Sequence, residues 1–432
     1  MSQTQRSPAE LELAERARKV LPAGTFGNTA LDIVIERGKG GHVWDVSGNE
    51  YIDYLLGSGP MLIGHAHPKV EAAVLAQLPL GTTYFVNNPH GIKLAEEIVA
   101  AVPCAEQVRF GSSGTEVDLY AMRVARAYMK REKILKFEGG YHGMSDYSLM
   151  SLAPKRLANF PTPVPDSAGI PKSVRDDVIV APFNDLAAVE SLLNQHGREI
   201  AAIIVEPFQR LIPPQPGFLE GLRKLTEQHG IVLIFDEVVT GFRFSYGGAQ
   251  AYYGVTPDLA TFGKVIGGGF PLAAIAGKAE IMRHFDKTAV GEDDFTVQIG
   301  TLSGNPIASA AGLATMEVLK TPGAYDKIFA TGQALMDGIS ARLKDAKIAA
   351  QVIGVPPLFD VVFTDGDVRD YRGTLRNNAD VQRRVNQSLL ASGILKGDSK
   401  YYISLAHTEA DVTQTLDAWS AAIRSLKDAK VA

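Results

Sequence analysis

The sequence predicts an α/β protein: a mainly parallel sheet covered by helices on both faces, with smaller α+β segments before and after it. Two observations carry this. From about residue 70, apolar runs of roughly three to six residues alternate with stretches long enough for helices. The runs are also continuous, as in Ile231-Val232-Leu233-Ile234-Phe235, which suits strands buried on both sides.

In chain order, a helix is expected behind Ser7-Pro8-Ala9-Glu10. Serine can cap, proline suits the first helical position, and Glu10 sits where a capping box has its acid. Leu13, Ala17, Val20 and Leu21 share one face, and Pro22-Ala23-Gly24 stops the helix. Strand-like pieces follow at Ile33–Ile35 and His42–Trp44, linked through Arg37–Gly41, then at Tyr51–Leu56 after a Ser47-Gly48-Asn49 turn. In the middle of the chain the strand candidates are Ile134–Phe137, Val178–Val180, Ala201–Val205, Ile231–Phe235 and Leu272–Ala276. The helical stretches between them are Glu116–Arg131, Leu186–Gln195 and Leu219–His229. Beyond about residue 315, helices at Tyr325–Lys344, Asp380–Ala391 and Glu409–Lys427 flank strand candidates Leu358–Phe363 and Tyr401–Leu405. Leu152–Asp177 holds five prolines and little periodicity, which reads as a lid or binding loop.

Composition narrows the function classes. The chain has 432 residues, 46% hydrophobic and 21% charged, with a formal charge of −5, so a basic nucleic-acid footprint is not expected. Cys104 is the single cysteine, which rules out an intrachain disulfide and a cysteine-rich metal site. Met1–Arg6 is polar and lacks a signal-peptide core, and no apolar stretch approaches the ~20 residues that span a bilayer. The expectation is a cytoplasmic protein with no membrane or nucleic-acid partner and no metal.

Ligands of open parallel sheets bind at the carboxyl ends of strands, and four places there carry chemistry. Gly111-Ser112-Ser113-Gly114-Thr115-Glu116 follows Val108-Arg109-Phe110 and opens a helix; it reads as a phosphate cup or as an ordinary capped turn. Asp236-Glu237 ends a buried run, so its aspartate holds a protonated heterocyclic nitrogen, binds a metal, caps the next helix or pairs with Arg243. Glu206-Pro207-Phe208-Gln209 ends another run and by itself is a strand terminus with a turn proline. Lys264 stands between Leu259-Ala260-Thr261-Phe262 and Gly267-Gly268-Gly269. It reads as a desolvated, carbonyl-reactive amine or as a surface lysine beside a flexible loop.

Together these places resemble the class III aminotransferases, pyridoxal-phosphate enzymes of fold type I, and within them the glutamate-1-semialdehyde 2,1-aminomutase branch. The resemblance runs over nearly the whole chain. It rests on Gly64-His65-Ala66-His67-Pro68, Ser113-Gly114-Thr115-Glu116, Lys136-Phe137-Glu138-Gly139-Gly140-Tyr141-His142-Gly143 and Phe235-Asp236-Glu237-Val238 with Thr240-Gly241-Phe242-Arg243. Gly263-Lys264-Val265-Ile266-Gly267-Gly268-Gly269, Gly300-Thr301-Leu302-Ser303-Gly304-Asn305-Pro306 and Ser404-Leu405-Ala406-His407-Thr408 complete it.

The resemblance implies a large pyridoxal 5'-phosphate (PLP) domain over 75–312 with a mainly parallel seven-stranded sheet, and a small α+β domain from 1–74 and 313–432. It implies that Lys264 forms a Schiff base with the cofactor and moves the substrate proton, with pyridoxamine 5'-phosphate as intermediate. Asp236 would face the pyridine nitrogen and keep it protonated. Ser113, Gly114 and Thr115 would hold the phosphate, and Thr301 would reach the phosphate of the neighbouring subunit in a homodimer with shared active sites. Tyr141 would stack on the ring, Gln209 would lie near the ring hydroxyl, Glu206 would organise that wall and His142 would be positional. His65 and His67 read as turn residues packing near the site or as catalysts.

The substrate side departs from the aminomutase pattern. Thr25-Phe26-Gly27-Asn28-Thr29-Ala30-Leu31-Asp32 has no arginine where the mutases place one, and Ser399 stands where they have a glutamate. An Arg–carboxylate fork is among the strongest directional contacts for a small acid, so its loss favours intermolecular transamination of a β-amino acid or amine. Phe26 and Tyr84 fit such a substrate. The alternatives are the intramolecular aminomutase, supported by the proline-rich Pro161–Lys172 stretch, and a racemase or epimerase. A binding protein without turnover is disfavoured by Lys264 with Asp236. Arg210, Lys396 and Lys400 are candidate carboxylate partners, or surface charges.

Overall fold

A computed structural model describes residues 6–29 and 31–428. Met1–Gln5, which bear on the expected absence of a leader, and Ala30 lie outside the described residues. The chain forms two compact units. The larger comprises Lys69–Thr321 and Asp367–Leu375; the smaller comprises the chain up to Pro68, Pro322–Gly366 and the chain from Arg376.

Seven strands of the larger unit build one sheet: β1 (Gln107–Gly111), β2 (Lys133–Phe137), β3 (Val178–Ala181), β4 (Ile200–Val205), β5 (Val232–Asp236), β6 (Leu259–Phe262) and β7 (Ala273–Gly277). Their order is β1-β7-β6-β5-β4-β2-β3. Only β7 runs against its neighbours, so the other six strands end at the same edge. The β3 to β7 strands are buried at every residue, as their unbroken apolar runs require. On one face lies helix α1 (Gly114–Met129), whose Val117, Ala121, Met122 and Ala125 pack with Ile134, Ile204, Ile234 and Ile275. Helix α2 (Pro306–Leu319) packs against the turn after β6 so closely that a Cβ on Gly312 would lie 2.0 Å from the carbonyl oxygen of Ile266.

In the smaller unit, Ile394–Leu395 pairs in parallel with Glu50–Asp53, so early and late parts of the chain share a sheet. Three expectations shift there. Ser7 caps Pro8–Val20 as read, but Glu10 does not close a capping box: it is buried, and its carboxylate accepts from Val34 N and the Ser47 hydroxyl. Strand Ile35–Lys39 includes the Arg37–Lys39 stretch read as a link, because the hairpin reverses at Gly40, which supplies φ 58. The Tyr401–Leu405 strand stops at Tyr402, where Ser404 N donates to His407 Nδ1 at 3.1 Å and turns the chain. His65 is tied to Asp53 at 2.7 Å.

Candidate active site

Five elements converge at the carboxyl edge of the larger sheet. The ends of β6, β5, β4 and β2, adjacent in that order, lead into Lys264, Asp236, Glu206–Gln209 and Glu138–His142, and the end of β1 leads into the loop that opens α1. Val238 shows how close they come: a Cβ on Gly114 would lie 3.1 Å from its Cγ1, and a Cβ on Gly263 would lie 3.2 Å from the same atom. The start of α1, the end of β5 and the residue before Lys264 therefore surround one valine.

Asp236 is 5% exposed at the end of β5. Its Oδ1 accepts from Val238 N at 3.1 Å and its Oδ2 from His142 Nδ1 at 2.8 Å, so the Nδ1 of His142 carries a proton. That reading of the strand-end aspartate replaces a pairing with Arg243, whose Nε donates to the Val239 carbonyl oxygen. The other ring nitrogen of His142, Nε2, is buried without a hydrogen-bond partner among the described residues.

The opening of α1 is a capped helix with a closed capping box. Ser113 caps it, its Oγ accepting from Glu116 N at 3.3 Å. The Glu116 carboxylate accepts from Ser112 N at 2.7 Å and Ser113 N at 3.0 Å. Those two amides are therefore committed, and the donors left for an anion are the first helical amides, of Gly114 and Thr115, with the serine and threonine hydroxyls. Gly143, with φ 80, comes close enough that a Cβ would lie 2.5 Å from Thr115 Cα, and Met144 N donates to Thr115 Oγ1 at 3.2 Å. The tyrosine–histidine loop is thus seated on the start of α1.

Lys264 begins a single 3-10 turn, Lys264–Gly267, and holds a left-handed backbone with φ 49. A non-glycine residue in that region is strained by about 1–3 kcal/mol, a cost that clusters at functional sites. Helix α2 holds the turn in place through Gly312. The Lys264 ammonium has no ion pair among the described residues. A second lysine, Lys136, is driven down to about 7 by burial, but its Nζ is occupied, donating to the Ser148 and Met150 carbonyls at 2.7 and 2.6 Å.

The wall opposite is built by β2 and β4. Glu206 accepts from Tyr141 N at 2.8 Å. Gln209 Nε2 donates to the Glu138 carbonyl oxygen at 2.8 Å, while its Oε1 is buried and unpartnered among the described residues. A Cβ on Gly140 would lie 3.1 Å from His142 Nε2 and 3.4 Å from that Oε1, so both orphaned atoms border one glycine. The Tyr141 phenol is pushed up by burial, with Arg210 pulling the other way. Arg210 is no plain surface charge: it holds φ 61 in the Gln209–Ile212 turn, with its guanidinium 5.3 Å from the Tyr141 ring centre. In the smaller unit Lys396 is buried against Asp360 at 3.1 Å rather than exposed, and Lys400 sits 5.9 Å from the Tyr402 ring centre.

Thr301 is not brought to this cluster. It is exposed, its carbonyl accepts from Thr83 Oγ1 at 3.2 Å, and beside it Val297, Ile299 and Leu302 are exposed with Phe85 and Val86.

Three features escaped the sequence reading. Arg372 grips Glu138 through two hydrogen bonds, at 2.7 and 3.1 Å, and the Ala158 carbonyl at 2.7 Å. Tyr371 OH donates to the Pro154 carbonyl at 3.2 Å. The proline-rich loop is thus anchored by Asp367–Leu375, a segment no local pattern marks. The third is Asp118, 1% exposed on the sheet-facing side of α1; a carboxylate among Val117, Ala121 and Ala125 is the signal that helical periodicity offers.

A family model described as aminotransferase class-III matches residues 25–406. Glutamate-1-semialdehyde 2,1-aminomutase 2 of Brevibacillus brevis is 42% identical over 392 residues, covering 89% of this chain and 90% of that protein. Among solved structures, an omega-transaminase from Sphaerobacter thermophilus matches with TM-score 0.92 and 37% identity over 98% of this chain and 99% of that one. A transaminase solved with PLP bound matches with TM-score 0.90 and 29% identity over 99% and 100%. A beta-phenylalanine aminotransferase from Variovorax paradoxus matches with TM-score 0.87 and 30% identity over 98% and 95%.

Proposed function

The chain belongs to the class-III aminotransferase family, and from that premise we propose that it is a PLP-dependent transaminase moving an amino group from a β-amino acid or amine donor to a carbonyl acceptor. The observation that carries the reading is the convergence of Lys264, Asp236 and the α1 amides around Val238. The residues fit the cofactor. The phosphate would take the free Gly114 and Thr115 amides, and the two buried orphans, His142 Nε2 and Gln209 Oε1, offer polar partners to the ring substituents.

When bound, PLP supplies a carbonyl carbon that joins amines and a ring that accepts the electrons released at the substrate carbon. The chain's residues do the rest. Lys264 Nζ would hold the cofactor and, once freed by the substrate amine, would carry the proton from the substrate carbon across to the cofactor carbon. Asp236 would keep a proton on the ring nitrogen, with His142 Nδ1 fixing the carboxylate. Glu206 sets the Tyr141 backbone and Arg210 backs its ring, which would leave the phenol ring to stack on the cofactor.

The missing arginine in Thr25–Asp32 and Ser399 in place of a glutamate support intermolecular transfer over isomerisation. The 42% identity to an aminomutase favours the second reading, intramolecular 2,1-amino transfer. Adding single donors without an acceptor to the PLP-loaded enzyme, while following the visible spectrum, tests the choice. Loss of the cofactor band with release of a keto product from a β-amino acid or aryl amine is the expected result. If only a 4,5-diamino acid or the semialdehyde changes the band and no keto product leaves, the mutase reading takes its place.

A homodimer belongs to the same proposal. Val86 and Ile299 are each 72% exposed, and with Phe85, Val297 and Leu302 they form an apolar surface around Thr301 that a second copy would cover. Paired substitutions Val86→Asp and Ile299→Asp are expected to convert the enzyme to a monomer by size-exclusion chromatography and to cost most of its activity. A fully active monomer would refute both the interface and the part given to Thr301. A cytoplasmic location completes the reading, supported by the composition; among the described residues no helix is long and apolar enough to cross a membrane.

A further inference from the structure

Asp118 lies one turn into α1, buried among apolar side chains, and it is not alone there. Thr261 of β6 is the residue paired with Asp236 of β5, and its hydroxyl donates to Asp118 Oδ1 at 2.6 Å. Residues paired across neighbouring strands point to the same face of the sheet, so Asp236 lies on the same side as Thr261, toward Asp118 of α1. Two carboxyl groups side by side in a buried pocket do not both ionise; one keeps a proton. Which one does so follows from their partners. Asp236 already accepts two N–H bonds, from Val238 and His142, whereas Asp118 accepts one hydroxyl.

We propose that Asp118 is a neutral carboxylic acid that donates its O–H to Asp236, and that it is a positioning residue for the aspartate facing the cofactor's ring nitrogen. This rests on the PLP reading above. A carboxylate offers about four acceptor positions. Val238 N–H, His142 Nδ1–H and the Asp118 O–H fill three of them, leaving one for a ring N–H. The charges match as well, since the array carries one negative charge against one protonated ring nitrogen. Burial first, and then the charge of Asp236, push the Asp118 carboxyl well above the usual carboxylate range. The titratable groups around it are Asp236, Glu206 and Tyr141, with His142 held on Asp236; no lysine or arginine is paired with Asp118 among the described residues.

The proton is read directly by infrared spectroscopy of the holoenzyme. The wild type is expected to show a protonated-carboxyl C=O stretch that Asp118→Asn removes. Asparagine keeps both contacts, an N–H toward Asp236 and an oxygen toward Thr261, so its PLP dissociation constant and kcat should stay within about threefold of wild type. Asp118→Ala leaves Asp236 without that donor and should worsen both about tenfold, the size of one hydrogen bond to a charged group. Survival of the band in Asp118→Asn, or an asparagine variant as impaired as alanine, would overturn the proposal. If Asp118→Ala does not fold, the band and Asp118→Asn decide between them. A wild type that binds no PLP would instead sink the cofactor reading, while the band in the cofactor-free protein still reports where the proton lies.

Discussion

Lys264→Ala is expected to lower turnover by at least about 10²–10⁴-fold, the contribution typical of a side chain that carries the transferred proton. It should do so without unfolding the protein. The Gly114 and Thr115 amides and Asp236 stay in place, and alanine at φ 49 is no worse strained than lysine. PLP should therefore still bind, but non-covalently. Borohydride treatment followed by denaturation reads the difference: the wild type should keep the cofactor on the Lys264 peptide, and the variant should lose it. The informative failure is a cofactor trapped elsewhere. Lys136 is the competitor, because burial depresses its basicity and leaves more of it as the nucleophilic free amine. Its Nζ, however, is closed in by the Ser148 and Met150 carbonyls. Label on Lys136 in the folded wild type would overturn the assignment of Lys264.

Asp236→Asn should be nearly as damaging, for a different reason. Asparagine preserves the shape and can still accept from His142 Nδ1, so the loop geometry survives. What goes is the negative charge that, on the proposed reading, holds a proton on the ring nitrogen. Removing one partner of a buried charged pair costs about 3–5 kcal/mol, or roughly 10²–10⁴-fold in rate. Single-turnover measurements of both half-reactions check this, since the proton transfer should slow in each. Turnover within a few-fold of wild type would mean that the ring nitrogen is not held by Asp236.

How much of this was legible in the sequence depends on how local the cause is. The strands β3, β4, β5 and β7 could be read because sheets covered on both faces demand unbroken apolar runs, and Ile200–Val205 and Val232–Asp236 supply them. Edge strand β1 is half-exposed, so its run was reduced to Val108-Arg109-Phe110. Helix ends were legible where the cap is chemical, as with Ser113. Glu10 misled because a capping box and a buried acid satisfied from Ser47 and Val34 look alike in sequence. Of the candidate site, Asp236, His142, Tyr141, Glu206, Gln209 and Lys264 all fall at or soon after strand ends, which is where a sheet of this kind concentrates its ligands. Arg372 and Asp118 were not legible, since each acts through a partner far along the chain: Glu138 for one, Thr261 and Asp236 for the other.

Helix α2 has a consequence for anyone who would redesign this enzyme. Gly312 leaves no room for a side chain, because its neighbour is the carbonyl of Ile266 in the very turn that presents the lysine. Gly268 is equally confined by the Ala311 carbonyl, 2.6 Å from where a Cβ would stand. That contact removes the back of the lysine turn from the set of positions open to library mutagenesis. New specificity is better sought away from that contact, as at Arg210, whose guanidinium lies against the Tyr141 ring and not against the lysine turn.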